Sequence, residues 1–240
     1  MGVSIILPAY NEEDILEHTV REILKTCKAL NEEFEIIIVD NGSKDSTPAI
    51  GKRISKREKH VKFFRLEERG VGKALKLGLG KADFEKIVTL DVDLSVGPNF
   101  ILRCASLLNE YDIVIGSKRS GNQRRSLLRR ILSRCFIWLS RCMLGMRYDD
   151  YSIGAKGYRK STIMKFIEWI DDHTFYVLPL VYLAEKFQKK IVVIPVNCID
   201  KRKSRFSLLH EIFWRGSKLI YFSLLVRISN RILTLGNRRY

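Results

Sequence analysis

Hydrophobic positions along the first half of the chain fall into short unbroken runs, separated by longer stretches with helical spacing. The runs are "VSIIL" at 3–7, "FEIIIVD" at 34–40, "VKFFRL" at 61–66, "KIVTLDVD" at 86–93 and "DIVIGS" at 112–117. Each predicts a strand, and the continuous β-branched run at 34–40 is of the kind that parallel sheets bury on both faces. Pro8 stops the first strand, and the acids after Asn11 open a helix with an apolar face of Ile15, Val20, Ile23 and Leu24, running to Cys27. "NGSKDST" predicts a turn, with Ser46 or Thr47 capping the next helix. "GVGKALKLGLG" (70–80) reads as a Gly-rich loop running into a helix, and Pro98 begins a helix to about Asn109. Strands alternating with helices predict an α/β fold with a central, mostly parallel sheet flanked by helices.

Beyond residue 118 the pattern changes. Residues 124–145 form an amphipathic helix, with Leu128, Leu132, Cys135, Leu139 and Cys142 on one face and Arg130, Arg134 and Arg141 on another. "DDYSIGAKGYRK" (149–160) is polar and Gly-bearing, which predicts a structured loop. "KKIVVIPVN" (189–197) is one more strand, "DKRKSRFS" (200–207) a basic loop, and 207–235 an amphipathic stretch rich in Leu, Ile, Phe and Arg. The expected organisation is one α/β domain over 1–206 and a C-terminal amphipathic helical segment over 207–240. That segment either packs on the core or lies in a membrane interface. The longest apolar stretch, Leu219–Val226, is eight residues, too short to cross a bilayer. The apolar start, Val3–Leu7, is too short for a signal peptide. A soluble or peripheral protein is expected.

Charge sharpens this division. The net charge is +16, but residues 1–117 hold 17 Lys and Arg against 19 acids, whereas 118–240 hold 26 against 8. A basic second half calls for an anionic partner: nucleic acid, a phosphorylated substrate or anionic lipid headgroups. No nucleic-acid-binding motif is present, so nucleic acid is not expected as a partner. Five cysteines without a CxxC pair exclude a disulfide framework or zinc site and predict small buried thiols in a reducing cytosol.

Candidate chemistry sits at the strand ends: Pro8 to Asn11, Asp40-Asn41, Asp91 and Asp93, and Ser117-Lys118. Open α/β sheets bind ligands outside the carboxyl ends of their strands. Two carboxylates at the end of one buried strand suit Mg²⁺ or Mn²⁺, which takes one or two protein carboxylates and completes its shell with phosphate oxygens and water.

The ordered set "SIILPAYNEED", "EIIIVDNGSKDST", "RGVGKALKLGL" and "IVTLDVDLS" resembles the nucleotide-sugar-dependent glycosyltransferases of family 2, which have the GT-A fold, a Rossmann-like architecture. The likeness continues through "DIVIGSKR", "RRILSR", "DDYSIGAKGYRK" and "DKRKSRFSLL", and so covers roughly 3–210. Within the family the pattern is most similar to the polyprenyl-phosphate (dolichyl-phosphate) sugar synthases, such as the dolichyl-phosphate mannose synthases. The resemblance implies that Pro8, Tyr10 and Glu12 line the nucleotide pocket and that Val39 and Asn41 flank the base. Asp91, Val92 and Asp93 would meet the metal and diphosphate, with Ser95 a further metal contact. Lys118, Arg129, Lys201 and Arg205 would meet donor or acceptor phosphates. Asp93, Arg129 and Asp150 are the expected catalytic residues, Asp150 as a base or an orienter. The sequence departs from the family pattern in three places: "DDGS" is "DNGS" at Asn41, the Arg after the fifth strand is Lys118, and "TSGFR" is "SIGAK" at 152–156.

The implied activity is inverting transfer of a sugar from a nucleotide sugar (GDP-mannose, a UDP-hexose or UDP-GlcNAc) to a polyprenyl phosphate. The alternative acceptor is a saccharide hydroxyl. A hydroxyl needs a base, whereas a phosphomonoester, with its second pKa near ~6, is already an anion at neutral pH and needs cations to hold it. The basic half suits the second case. The expected location is cytoplasmic, peripheral on the cytoplasmic face of a membrane, with a membrane-embedded partner subunit left open.

Overall fold

The computed structural model describes residues 2–118, 123–124, 127–148, 154–199 and 208–236, with side chains described at 2–118, 131–148, 154–198 and 213–228. In chain order the first elements are β1 (Gly2–Ala9), α1 (Leu16–Cys27), β2 (Glu33–Asn41), α2 (Thr47–Arg57), β3 (Val61–Leu66), α3 (Val71–Lys81), β4 (Lys86–Thr89), α4 (Phe100–Leu107) and β5 (Ile113–Ser117). Then come β6 (Gln123–Arg124), α5 (Leu127–Leu144), β7 (Lys156–Arg159), α6 (Lys160–Ile163), a 3-10 helix (Met164–Trp169), α7 (Val177–Lys186), β8 (Ile191–Pro195), β9 (Cys198–Ile199) and α8 (Leu208–Gly236). They form two compact units: Met1–Arg124 with Asp150–Arg202, and Arg125–Asp149 with Lys203–Tyr240.

The first unit holds a seven-stranded sheet in the order β3-β2-β1-β4-β7-β5-β8. Six strands point the same way and β7 runs against its neighbours β4 and β5. The mostly parallel sheet matches the hydrophobic runs, whose central residues Ile5, Ile6, Ile36–Val39, Ile87, Val88 and Val114 are wholly buried. β7 is the correction, because residues 149–160 read as a loop and 156–159 are a strand. Its pattern is hidden by a lysine and a glycine. Lys156 is 1% exposed despite its charge, and Gly157 leaves the space that Cys104 Sγ and Leu108 fill.

Three helix starts also differ. α1 begins at Leu16 rather than among the acids, since the Glu12 carbonyl accepts from Ile15 and Leu16 N–H and holds Asn11–Ile15 as a turn. Ser46 stands at the N-cap of α2 but makes no side-chain bond there; Asp45 Oδ1 accepts from Thr47 N–H at 2.9 Å instead. The Gly-rich stretch is helical from Val71, with Gly78 admitting Ile6 of β1. α7, which no sequence pattern announced, is buried on almost every side.

Cys27, Cys104 and Cys198 are buried as expected, and burial pushes the Cys27 thiol up to about 12. Cys135 and Cys142 are not: both are exposed on α5, as is Leu139. In the second unit α5 and α8 pack on one another, with the Arg215 guanidinium 4.6 Å over the Phe136 ring. Among the described residues no helix is long and apolar enough to cross a membrane.

Candidate active site

The carboxyl ends of β1 and β2 lie side by side, with Pro8 opposite Val39 and Ala9 opposite Asp40. The loops that follow are stitched together by reciprocal bonds. Asn11 N–H donates to Ser43 Oγ (2.8 Å), Lys44 N–H to Asn11 Oδ1 (2.9 Å) and Glu12 N–H to Thr47 Oγ1 (2.7 Å). Asn11 takes the left-handed backbone (φ 53°) that this crossing needs, a conformation Asn tolerates better than most residues. Asn41, buried, accepts from Gly70 N–H at 2.6 Å through Oδ1 and so ties the end of β2 to the start of α3. Beside it the Arg69 guanidinium lies 4.1 Å over the Tyr10 ring, a flat cation–aromatic surface at the sheet edge.

The second part of the edge is the turn after β4. The ladder ends at Thr89, so Asp91 and Asp93 leave the sheet instead of continuing the strand. Leu94 N–H donates to the Asp91 carbonyl (3.1 Å), Ser95 N–H to Asp93 Oδ1 (2.9 Å), and Leu94 is held at φ 46°. From outside the turn, the buried Thr19 hydroxyl donates to the Val92 carbonyl at 2.6 Å. Asp91 is exposed to solvent, yet the protein around it still desolvates its carboxyl. Desolvation, and then the Asp93 carboxylate, raise its pKa above the ordinary value; Lys156, a Gly154 N–H bond and Lys118 pull the other way. Two carboxylates at one turn, Asp91 held above its ordinary pKa first by desolvation and then by Asp93, fit a hard divalent cation. Among the described residues no group of three or more His, Cys, Asp or Glu surrounds them, so further ligands would come from phosphate and water.

The structure thus places Pro8, Tyr10, Glu12 and Asn41 on one rim, and Asp91, Asp93, Ser95 and Lys118 around one turn. Val39 and Val92 are buried in the core beneath them. Asp150, Lys201, Arg205 and the Arg129 side chain lie outside the described residues. Asp40, picked out at a strand end, is wholly buried there, accepting from Ser43 N–H (3.3 Å) and facing Arg65 Nε at 3.4 Å, and burial raises its pKa. Two charged groups at this edge, Lys156 and Arg69, escaped the sequence reading.

A family profile for glycosyl transferase family 2 matches residues 4–166. The chain belongs to glycosyl transferase family 2. Among family 2 relatives, the undecaprenyl-phosphate 4-deoxy-4-formamido-L-arabinose transferase of Proteus mirabilis is 28% identical over 211 residues, covering 86% of this chain and 63% of that protein. The glycosyltransferase AglD of Haloferax volcanii is 26% identical over 226 residues, covering 91% and 36%. The chain therefore spans less than two thirds of the length of these curated relatives. Among solved structures, glucosyl-3-phosphoglycerate synthase from Mycobacterium tuberculosis, in complex with Mn²⁺, UDP and glucosyl-3-phosphoglycerate, matches with a TM-score of 0.67 at 19% identity, over 94% of this chain and 79% of that one. The sheet and its flanking helices are the GT-A fold.

Proposed function

We propose that this family 2 member is an inverting glycosyltransferase that moves a sugar from a nucleotide sugar to a polyprenyl phosphate. The observation that carries the proposal is the Asp91/Asp93 turn at the sheet edge that also holds Tyr10 and Asn41, flanked by the buried Lys118 and Lys156; Tyr10 and Asn41 would face the nucleotide. The donor is GDP-mannose, a UDP-hexose or UDP-GlcNAc, and the acceptor a dolichyl or other polyprenyl phosphate. The named relative that acts on undecaprenyl phosphate supports a lipid phosphate of this class.

The chemistry needs little from the protein beyond charge and position. An acceptor phosphate oxygen forms the new bond at the anomeric carbon while the bond to the nucleoside diphosphate breaks on the opposite face, which inverts the configuration. No proton moves, because the phosphate is already ionised. Asp91 and Asp93, with Ser95, would hold Mg²⁺ or Mn²⁺, which when bound neutralises charge on the departing diphosphate. Lys118 and Lys156 add fixed positive charge in a partly dry site. Arg129, Lys201 and Arg205 would hold the acceptor phosphate, and Asp150 would orient it. The protein would work from the cytoplasmic face of a membrane as a peripheral enzyme.

Radiolabel transfer tests this directly. The chain is supplied with a panel of GDP- and UDP-sugars, Mg²⁺ or Mn²⁺ and a short polyprenyl phosphate, with and without chelator. Chelator-sensitive label in the organic phase, abolished by Asp91→Asn or Asp93→Asn in folded protein, is expected. Full activity in both variants refutes the site. Label appearing only on added saccharides refutes the lipid acceptor and makes Asp150 the base.

A further inference from the structure

The second unit buries Ile137, Leu219 and Phe222 but leaves a second set of large apolar side chains exposed on both helices. On α5, Ile131, Cys135, Trp138 and Cys142 recur at helical spacing and all are exposed, Trp138 by 63%. On α8, Phe213, Ile220, Leu224 and Ile228 make a second exposed stripe, Phe213 by 75%, with Tyr221 beside it. A helix pair that has already buried Ile137, Leu219 and Phe222 has no need of further apolar stripes in water, and exposed apolar surface of this kind marks an interaction site. Charge decides what covers it. The unit, Arg125–Asp149 with Lys203–Tyr240, carries 14 Lys and Arg against 2 acids, and Arg134, Arg141 and Arg227 are exposed alongside the stripes. A second copy would bring like charge against like, whereas an anionic bilayer offers both an apolar interior and negative headgroups. Each basic residue near such a surface strengthens adsorption about fivefold.

We infer that the outward faces of α5 and α8 together form a docking surface that lies in the headgroup plane of an anionic bilayer. Flotation of the full chain with vesicles of phosphatidylcholine, alone or mixed with phosphatidylglycerol, tests it. The chain is expected to float with the anionic vesicles, and Ile220→Glu with Leu224→Glu to weaken that binding at least about tenfold. Failure of the unaltered chain to float, or unchanged flotation of the variant, overturns the inference. So does a stable dimer in sedimentation equilibrium that the same variant dissolves. A short water-soluble polyprenyl phosphate separates this from the proposed function: the variant keeps transfer to the soluble acceptor and loses it only to acceptor held in vesicles. An unaltered chain inactive on both acceptors, yet still floating, counts against the acceptor and not against the docking surface.

A separate observation concerns the Asp91/Asp93 turn. The turn is closed internally by Asp91–Leu94 and Asp93–Ser95 bonds, but its tether to the rest of the fold includes one buried side-chain bond, from Thr19 on α1 to the Val92 carbonyl. We propose that Thr19 is a positioning residue that fixes the spacing of the two carboxylates, a role that rests on their holding a divalent cation. Thr19→Val keeps the shape and leaves a buried carbonyl unpaired; Thr19→Ser keeps the bond. Mn²⁺ binding in the presence of a nucleoside diphosphate, followed by electron paramagnetic resonance, is expected to weaken about tenfold in Thr19→Val and to recover in Thr19→Ser. Equal affinity in folded Thr19→Val refutes the role. Absence of Mn²⁺ binding in the unaltered chain refutes the cation site itself.

Discussion

Gly154 is the most informative single position for the site. It stands at the entry to β7, and its N–H bonds the Asp91 carboxylate. A Cβ built there would lie 2.5 Å from Asp91 Cγ and Oδ2 and nearer still to Oδ1, where ordinary contact begins at 3.4 Å. In Gly154→Ala the carboxylate must therefore retreat by about 1 Å. It can do so, because it is the free end of a side chain and the backbone at Gly154 is not left-handed. The fold is thus expected to tolerate the change, with stability within about 1 kcal/mol of the unaltered chain, since alanine also restricts the unfolded state. The site should not tolerate it. A displacement of about 1 Å in a reacting constellation costs on the order of 10²-fold, or about 2.7 kcal/mol of transition-state stabilisation. The assay is kcat/KM for sugar transfer beside the urea midpoint of the same preparation. Unchanged kcat/KM in a folded variant would show that Asp91 need not occupy its place, and the assignment of the turn would fall. A collapsed midpoint would show instead that Gly154 serves the fold.

Three further expectations follow from the same edge. Gly72→Ala places its Cβ against the backbone of Asp171 and 2.8 Å from its carbonyl carbon, which cannot swing away; a loss of about 1–3 kcal/mol in denaturant stability is expected, and no loss would refute the close approach. Asn41→Ala strands the buried Gly70 N–H at a cost of about 1–3 kcal/mol, whereas Asn41→Asp keeps an acceptor; equal stability of both variants would show the bond to be idle. Asp91 has its folded pKa raised, so the chelated chain loses stability as pH rises through that pKa. Asp91→Asn should then have a higher urea midpoint than the unaltered chain at neutral pH, with the gap closing below about pH 4, where the unfolded Asp is itself protonated. A lower midpoint at neutral pH would contradict the direction of the shift.

Strands β1, β2, β4 and β5 were legible in the sequence because a strand covered on both faces must be apolar throughout, and such runs have no other economical use; β3, an edge strand with Lys62 and Arg65, was legible only by its short Val, Phe and Leu run. Asp91 and Asp93 were legible for the converse reason: carboxylates at the end of such a run have no place in the core. The resemblance to family 2 glycosyltransferases drew on these same residues. Helix starts were less visible: the bonds that set them, Asp45 Oδ1 from Thr47 N–H and the Glu12 carbonyl from Leu16 N–H, lie in loops held together by bonds between residues 32 to 35 apart in sequence.

The tertiary structure alone decided the rest. A charged Lys156 could be a strand residue only because β4 and β5 leave a slot between them and Asp91 lies nearby to receive its charge. Arg69 became part of the site only because the start of α3 folds back over Tyr10. On α5 the periodicity marked which residues share a face, yet that periodicity is the same whether the face meets a core, water or lipid. Only the packed structure shows that Ile137 of α5 and Leu219 and Phe222 of α8 are buried while Trp138 and Phe213 stand outward. Sequence spacing records rotation about a helix axis; the direction of burial is set by contacts distant along the chain.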